Sequence, residues 1–341
     1  MVRQTELNFQ SSIRLRRTKL PINFKYKLHN LMGFNYKLGF IWILLFVFCY
    51  FAGCQSKTPG TKSEYLKITD DLNRVVVFDR IPSRIISIAP SITETFFALD
   101  GGKSLIAVTD YCDYPEEAKT KASIGGIVTP NFEKIAELNP DLILISVEGN
   151  NQSDFNKLQN LGYKMFVTKP KDIRGVIKSI SDIGKIIGAD SSGQTLTNSL
   201  RLRLDKVINT NRGSKKNKIL TIISLQPLIC AGNHTFINEM IKTVGGINVA
   251  AEAPLPYPIL NREEVLKQNP DIIIAMDDVV QDVNEMLCFF PEWKNLKAFR
   301  NKKVFVVDGD VLSRPGPRII DGLEELDSIV RSRNSSNNSL Y

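Results

Sequence analysis

The chain has 341 residues, 43% of them hydrophobic and 23% charged, which is the balance of a globular protein long enough for two full cores. Its net charge of +8 invites a nucleic-acid reading, but residues 1–53 hold eight of the basic residues and one acid. Taking these from the totals of 44 and 36 leaves 36 basic against 35 acidic, so the folded part has no basic excess for a phosphate-binding face and nucleic acid is excluded as a partner.

In chain order, residues 1–53 come first as a basic flank followed by the apolar run Leu38–Gly53. Its strongly apolar core of about 12 residues is shorter than the roughly 20 a membrane-spanning helix needs, which makes it a secretory signal peptide. Phe51-Ala52-Gly53-Cys54 resembles a bacterial lipobox, with Phe where Leu is usual, and this makes Cys54 the lipidation site. Met32 would start a leader of conventional length. Residues 54–73 carry the lipidated cysteine and a polar flexible tether. The localisation expected is the cell envelope, exported and held to a membrane by lipid.

Residues 74–188 form the first lobe. Residues 74–80 and 84–89 read as strands, and Ser91-Ile92-Thr93-Glu94 has the S-x-x-E spacing of a capping box ahead of a helix ending at Asp100-Gly101-Gly102. Strand 105–108 and the aromatic, acidic loop 109–115 follow. Asn131 caps a helix before strand 142–146. Helix 154–161, strand 164–167 and helix 172–187 complete the lobe.

Residues 189–212 read as one long helix, with Leu196, Leu200, Leu204 and Val207 or Ile208 at helical spacing. Residues 213–333 then restart the pattern. Strand 219–224, a Gln226-Pro227-Leu228 loop and helix 235–244 stopped by Gly245-Gly246 echo the first lobe. Strands 272–276 and 304–307 and a closing helix 317–330 follow, and residues 334–341 are a polar tail.

One stretch occurs twice. N-F-E-K-I-A-E-L-N-P-D-L-I-L at 131–144 returns as N-R-E-E-V-L-K-Q-N-P-D-I-I-I at 261–274, an offset of 130 residues. The duplication implies two lobes of similar build. The fold class expected is α/β, two Rossmann-like parallel-sheet lobes joined by one long backbone helix.

Cys112, Cys230 and Cys288 remain after the leader and anchor, which permits at most one internal disulfide. His234 is the one histidine of the exported chain, too few for a zinc or manganese receptor, so no metal site is expected. There is no G-x-S-x-G, G-x-G-x-x-G or P-loop, so neither catalysis nor a cofactor is expected.

The residues R-I-I-S-I-A-P-S-I-T-E-T-F-F-A-L (84–99), D-Y-P (113–115), the two repeats and R-P-G-P-R-I-I-D-G-L-E-E-L (314–326) resemble the cobalamin and iron-chelate binding proteins that feed bacterial ABC importers. The resemblance covers residues 74–331. It implies a ligand cleft between the lobes, capture there of a corrinoid, or alternatively of a ferric siderophore or haem, and delivery by a lipid-anchored monomer to an ABC permease. Glu133 and Glu263 fall where the cobalamin-binding member carries its two permease-docking glutamates. Tyr111, Tyr257 and Asp310 fall on its ligand contacts, with Tyr257 in place of a Trp, while Ile127 and Ser146 stand where that member has two more Trp residues. Ser91, which follows the strand 84–89, and Arg314 complete the expected ligand set. Arg314 and Arg318 flank the R-P-G-P-R turn and could face a ligand carboxylate or phosphate, or pin the turn.

Overall fold

The computed structural model describes residues 65–147, 149–213 and 216–332, all within one unit by internal contacts. The leader, Cys54 and residues 333–341 lie outside the described residues. A hairpin of β1 (Leu66–Thr69) and β2 (Val75–Phe78), paired antiparallel, comes first. Its turn is closed by Asp70, whose carboxylate accepts the Leu72 and Arg74 N–H groups and pairs with the Arg74 guanidinium at 2.6 Å. The chain is therefore in a strand at 66–69, inside the span expected as tether. Pairing with β2 and packing of Leu66 and Ile68 against the core give that four-residue segment its structure.

Two five-stranded sheets follow. In the first, β3 (Ile85–Ser87), β4 (Leu105–Val108), β5 (Ala122–Ser123), β6 (Leu142–Ser146) and β7 (Met165–Thr168) lie in the order β5-β4-β3-β6-β7, all parallel. In the second, β8 (Lys218–Leu225), β9 (Leu228–Cys230), β10 (Ile247–Asn248), β11 (Ile272–Met276) and β12 (Val304–Val307) give the order β10-β8-β11-β12, with β9 antiparallel on β8. β6 and β11 are buried at all five positions, as continuous apolar strands covered on both faces must be. Leu228, expected in a loop, instead opens β9, because the turn Gln226-Pro227 is short enough to return the chain onto β8.

The repeat has a structural meaning at each position. Asn131 and Asn261 are N-caps of α2 (Phe132–Leu138) and α7 (Arg262–Gln268), their side chains accepting the N–H of Lys134 at 2.9 Å and of Glu264 at 2.7 Å. Asn139 and Asn269 end those helices in the left-handed region, φ 44° and 48°, where Asn is one of the few residues tolerated. Asp141 and Asp271 then clip the strand alongside, accepting the N–H of Arg84 at 3.0 Å and of Lys218 at 2.9 Å. Leu142 consequently pairs with Ile85 as Ile272 pairs with Ile219.

Between the sheets run α4 (Ile173–Ile186) and α5 (Asp190–Thr210). The 21 residues of α5 span about 31 Å. Its Leu200, Leu204 and Val207 are buried and Leu196 is partly so. One apolar cluster extends from Phe96 and Ile180 through Leu200 and Leu204 to Ile241 and Leu323, so the lobes share a core along the helix that joins them. The crossing of α4 and α5 is close: a Cβ added at Gly184 would stand 3.4 Å from the Gly193 Cα. On the outer side, Arg203 binds Glu324 and Asp321, both through its Nη2 at 2.6 Å, on the closing helix α11 (Ile319–Arg331). The remaining helices are α1 (Pro90–Ala98), α3 (Gln152–Asn160), α6 (Phe236–Thr243), α8 (Glu285–Phe289), α9 (Lys297–Arg300) and α10 (Gly309–Ser313). Cys112, Cys230 and Cys288 are all free thiols, and burial pushes the Cys230 thiol up to about 12.

Candidate ligand cleft

In open parallel sheets a ligand sits beyond the carboxyl ends of the strands, where the connecting loops converge. Those ends face one another here, because they are tied together. Glu94, in the helix that follows β3, is bound by Arg318 of the segment that follows β12, with Nε at 2.9 Å and Nη2 at 2.8 Å from its two oxygens. Arg314 Nη1 adds a third contact to Glu94 at 3.3 Å.

This corrects the capping-box expectation for Ser91 and Glu94. The helix starts two residues earlier, at Pro90, with Ala89 as N-cap and no side-chain cap. Proline needs no N–H partner and its φ is already helical, so it displaces Ser91 from the cap position. Glu94 is thereby freed to cross to the other lobe, and Ser91 is buried in the seam. A Cβ on Gly316 would stand 3.3 Å from the Ser91 Cα, so only glycine lets the R-P-G-P-R turn lie this close.

Around the Glu94 pairs, Arg314 also binds Asp113 through Nη1 and Asp310 through Nη2, each at 2.7 Å. Arg318 lies over the Tyr114 ring at 4.0 Å, with Asp308 at 3.8 Å. Burial opposes ionisation of Asp113, yet the Arg314 hydrogen bond and charge hold it below the ordinary carboxylate range. At Asp310 burial wins: with Asp113 and Asp308 adding like charge against Arg314, its pKa is raised. Arg314 is therefore held by three carboxylates, and with Arg318 it ties the segment after β12 to Glu94 of the other lobe.

Two exposed aromatics belong to strand-end loops, one from each lobe. Tyr111 is 59% exposed in the loop after β4. Its neighbour Cys112 turns inward, its Sγ 3.2 Å from the Thr93 and Thr109 hydroxyls, which leaves Tyr111 and Asp113 pointing out. Tyr257 is 52% exposed in the segment after β10. The carbonyls on either side of it, of Pro256 and Pro258, accept the N–H of Gly232 at 2.7 Å and of Cys230 at 3.0 Å, so the ring is presented from a pinned backbone. Val128, Leu255 and Ile259 are likewise exposed in these loops. Ser146 is buried at the end of β6, and exposed His234 lies in the turn before α6 with φ 62°. Sequence reasoning missed Glu94, Asp113 and Asp308; the loop's acidic character was the one signal for Asp113.

Glu133 and Glu263 occupy the second helical position of α2 and α7, equivalent places on the two lobes, and both are exposed. Glu263 borders an open groove of ≈ 390 Å³ lined in part by Leu260, Phe289 and Phe290. Among the described residues no group of His, Cys, Asp and Glu has the arrangement to hold a metal ion, and no helix is long and apolar enough to cross a membrane.

The family described as periplasmic binding protein matches residues 85–311. A vitamin B12-binding protein of Vibrio cholerae serotype O1 is 29% identical over 243 residues, covering 71% of this chain and 87% of that protein. An uncharacterized ABC transporter substrate-binding lipoprotein of Bacillus subtilis is 29% identical over 302 residues, covering 84% of this chain and 95% of its own. The crystal structure of the periplasmic vitamin B12-binding protein of Vibrio cholerae superposes with a TM-score of 0.68 at 28% identity, over 74% of this chain and 97% of that one.

Proposed function

The chain belongs to the periplasmic binding protein family, and from that premise we propose that it is a non-catalytic receptor outside the cytoplasm that captures a corrinoid and hands it to an ABC permease. The observation that carries the ligand reading is the pair Tyr111 and Tyr257, exposed on strand-end loops of different lobes, with the ion pairs of Glu94 read as the cleft floor. Flat rings facing a cleft suit a large ligand with an apolar face. Likeness to vitamin B12-binding proteins supports the corrinoid class. Ser91, sealed under the Gly316 turn, and Arg314 and Asp310, joined to each other, shape that floor and would touch the ligand only from beneath.

Delivery rests on Glu133 and Glu263. Charges at the rim of an interface contribute orientation and association rate more than affinity, and two exposed carboxylates at equivalent places on lobes that share a core offer a fixed two-point contact for arginines of a permease. Cys54 would hold the receptor to the membrane through lipid. A shared core and a continuous helix between the lobes favour small movements over wide hinge closure, since bending α5 would break its hydrogen-bond ladder.

Titration calorimetry of the full chain in detergent tests the ligand reading. Cyanocobalamin should bind one to one; a signal for haemin or a ferric siderophore instead transfers the reading to the alternative ligand, and silence from all three removes the receptor function.

A further inference from the structure

Two guanidiniums would seem to equip the cleft for an anionic ligand. Their surroundings say the opposite. The side chains of Arg314 and Arg318 are each 16% exposed, whereas those of Asp113, Asp308 and Asp310 around them are 49%, 50% and 44% exposed. With Glu94 beneath, four carboxylates surround two cations, and what stays open to the cleft is carboxylate. The bias continues beyond this cluster. Among the described residues, the segments that follow six of the parallel strands (109–115, 124–131, 169–172, 249–261, 277–284 and 308–318) hold nine Asp and Glu against four Lys and Arg, although residues 54–341 balance to within one charge. The negative charge is concentrated at the edge where the ligand must sit.

We infer that Asp113, Asp308 and Asp310 are specificity-determining residues that reject ligands with net negative charge, so that the cleft takes neutral or cationic chelates with an amide-bearing or apolar periphery. The inference rests on the receptor reading. Its physics is repulsion focused in a cleft with low-dielectric walls, where an added negative group meets four carboxylates that outnumber the two guanidiniums, and those guanidiniums are already bound. A corrin ring rimmed with amides satisfies this condition. A porphyrin with two free propionates or an iron tris-catecholate does not.

The test varies charge on a constant ring. Binding of the full chain in detergent is measured at low salt for cobinamide against cobyrinic acid, whose rim amides are replaced by carboxylates, and for haemin dimethyl ester against haemin. The uncharged rim should win within at least one pair by about tenfold or more, and the gap should shrink as salt rises. Asp113→Asn combined with Asp308→Asn should narrow it several-fold, with thermal melting used to confirm that the variant is folded. Equal binding within each pair that binds, preference for the carboxylated member, or a gap untouched by the double substitution overturns the inference and leaves the receptor standing. Failure of all four probes and of cyanocobalamin removes the receptor reading and the inference with it.

Discussion

Glu94 and Arg318, 224 residues apart in sequence, meet through two hydrogen bonds of 2.8 and 2.9 Å with the carboxylate almost wholly buried. The pair joins the first helix of one lobe to the segment that precedes the closing helix of the other. Together with the core shared along α5, it ties the two lobes at a second place.

Removing Glu94 leaves two poorly exposed guanidiniums short of a counter-charge. Breaking a buried pair from one side costs about 3–5 kcal/mol, and because Asp113, Asp308 and Asp310 remain, Glu94→Ala should cost about 2–3 kcal/mol in urea unfolding. A loss below about 1 kcal/mol would show that the pair is not what holds the lobes.

A second contact between the lobes titrates. The Glu239 carboxylate of α6 accepts the Ile173 N–H at the start of α4 at 2.9 Å. Burial, opposed by that hydrogen bond and by Arg174 and reinforced by Asp172, lifts its pKa to about 7 from 4.5. The folded state therefore holds a proton that the unfolded chain releases. The contribution to stability is complete below pH 4.5 and is lost as pH rises through 7. Glu239→Gln keeps an acceptor for Ile173 and should remove this dependence, gaining about 1 kcal/mol on the native protein between pH 5 and 8 after allowance for its partial exposure. Urea midpoints at the two pH values measure it; parallel behaviour of the two proteins would contradict it.

Glu133→Arg with Glu263→Arg should leave ligand affinity within about twofold and abolish uptake into cells. Rim charges on this scale govern encounter with the permease and leave the cleft alone. A fall in ligand affinity would instead place these residues at the binding site.

Asn131→Ala and Asn261→Ala each delete one N-cap acceptor and should each cost about 1 kcal/mol. The two sites belong to different sheets, so the losses should add to within about 0.5 kcal/mol in the double variant, read from chemical denaturation.

Metabolic labelling with palmitate should be lost in Cys54→Ala. Labelling that persists would move the anchor elsewhere.

Much of this protein is written locally. The repeated N-x-E and N-P-D signals specify caps, left-handed helix ends and strand clips within a few residues of themselves, so 142–146 and 272–276 are strands in sequence and structure alike; the apolar runs 105–108 and 304–307 and the periodic helix of 190–210 are local in the same way. The carriers of family likeness, from 84–99 to 314–326, are also continuous segments. What depended on tertiary structure lies where a residue's partner is distant in the chain. S-x-x-E at 91–94 satisfies the capping rule locally, yet the environment of Glu94 is set by arginines more than 200 residues away. The burial of Ser91 under Gly316, the engagement of Arg314 by three carboxylates and the elevated pKa of Glu239 share this origin. Backbone hydrogen bonds close over three or four residues and can be read along the chain. Burial and charge pairing depend on which segments the finished fold brings within about 4 Å, and only the packed lobes decide that.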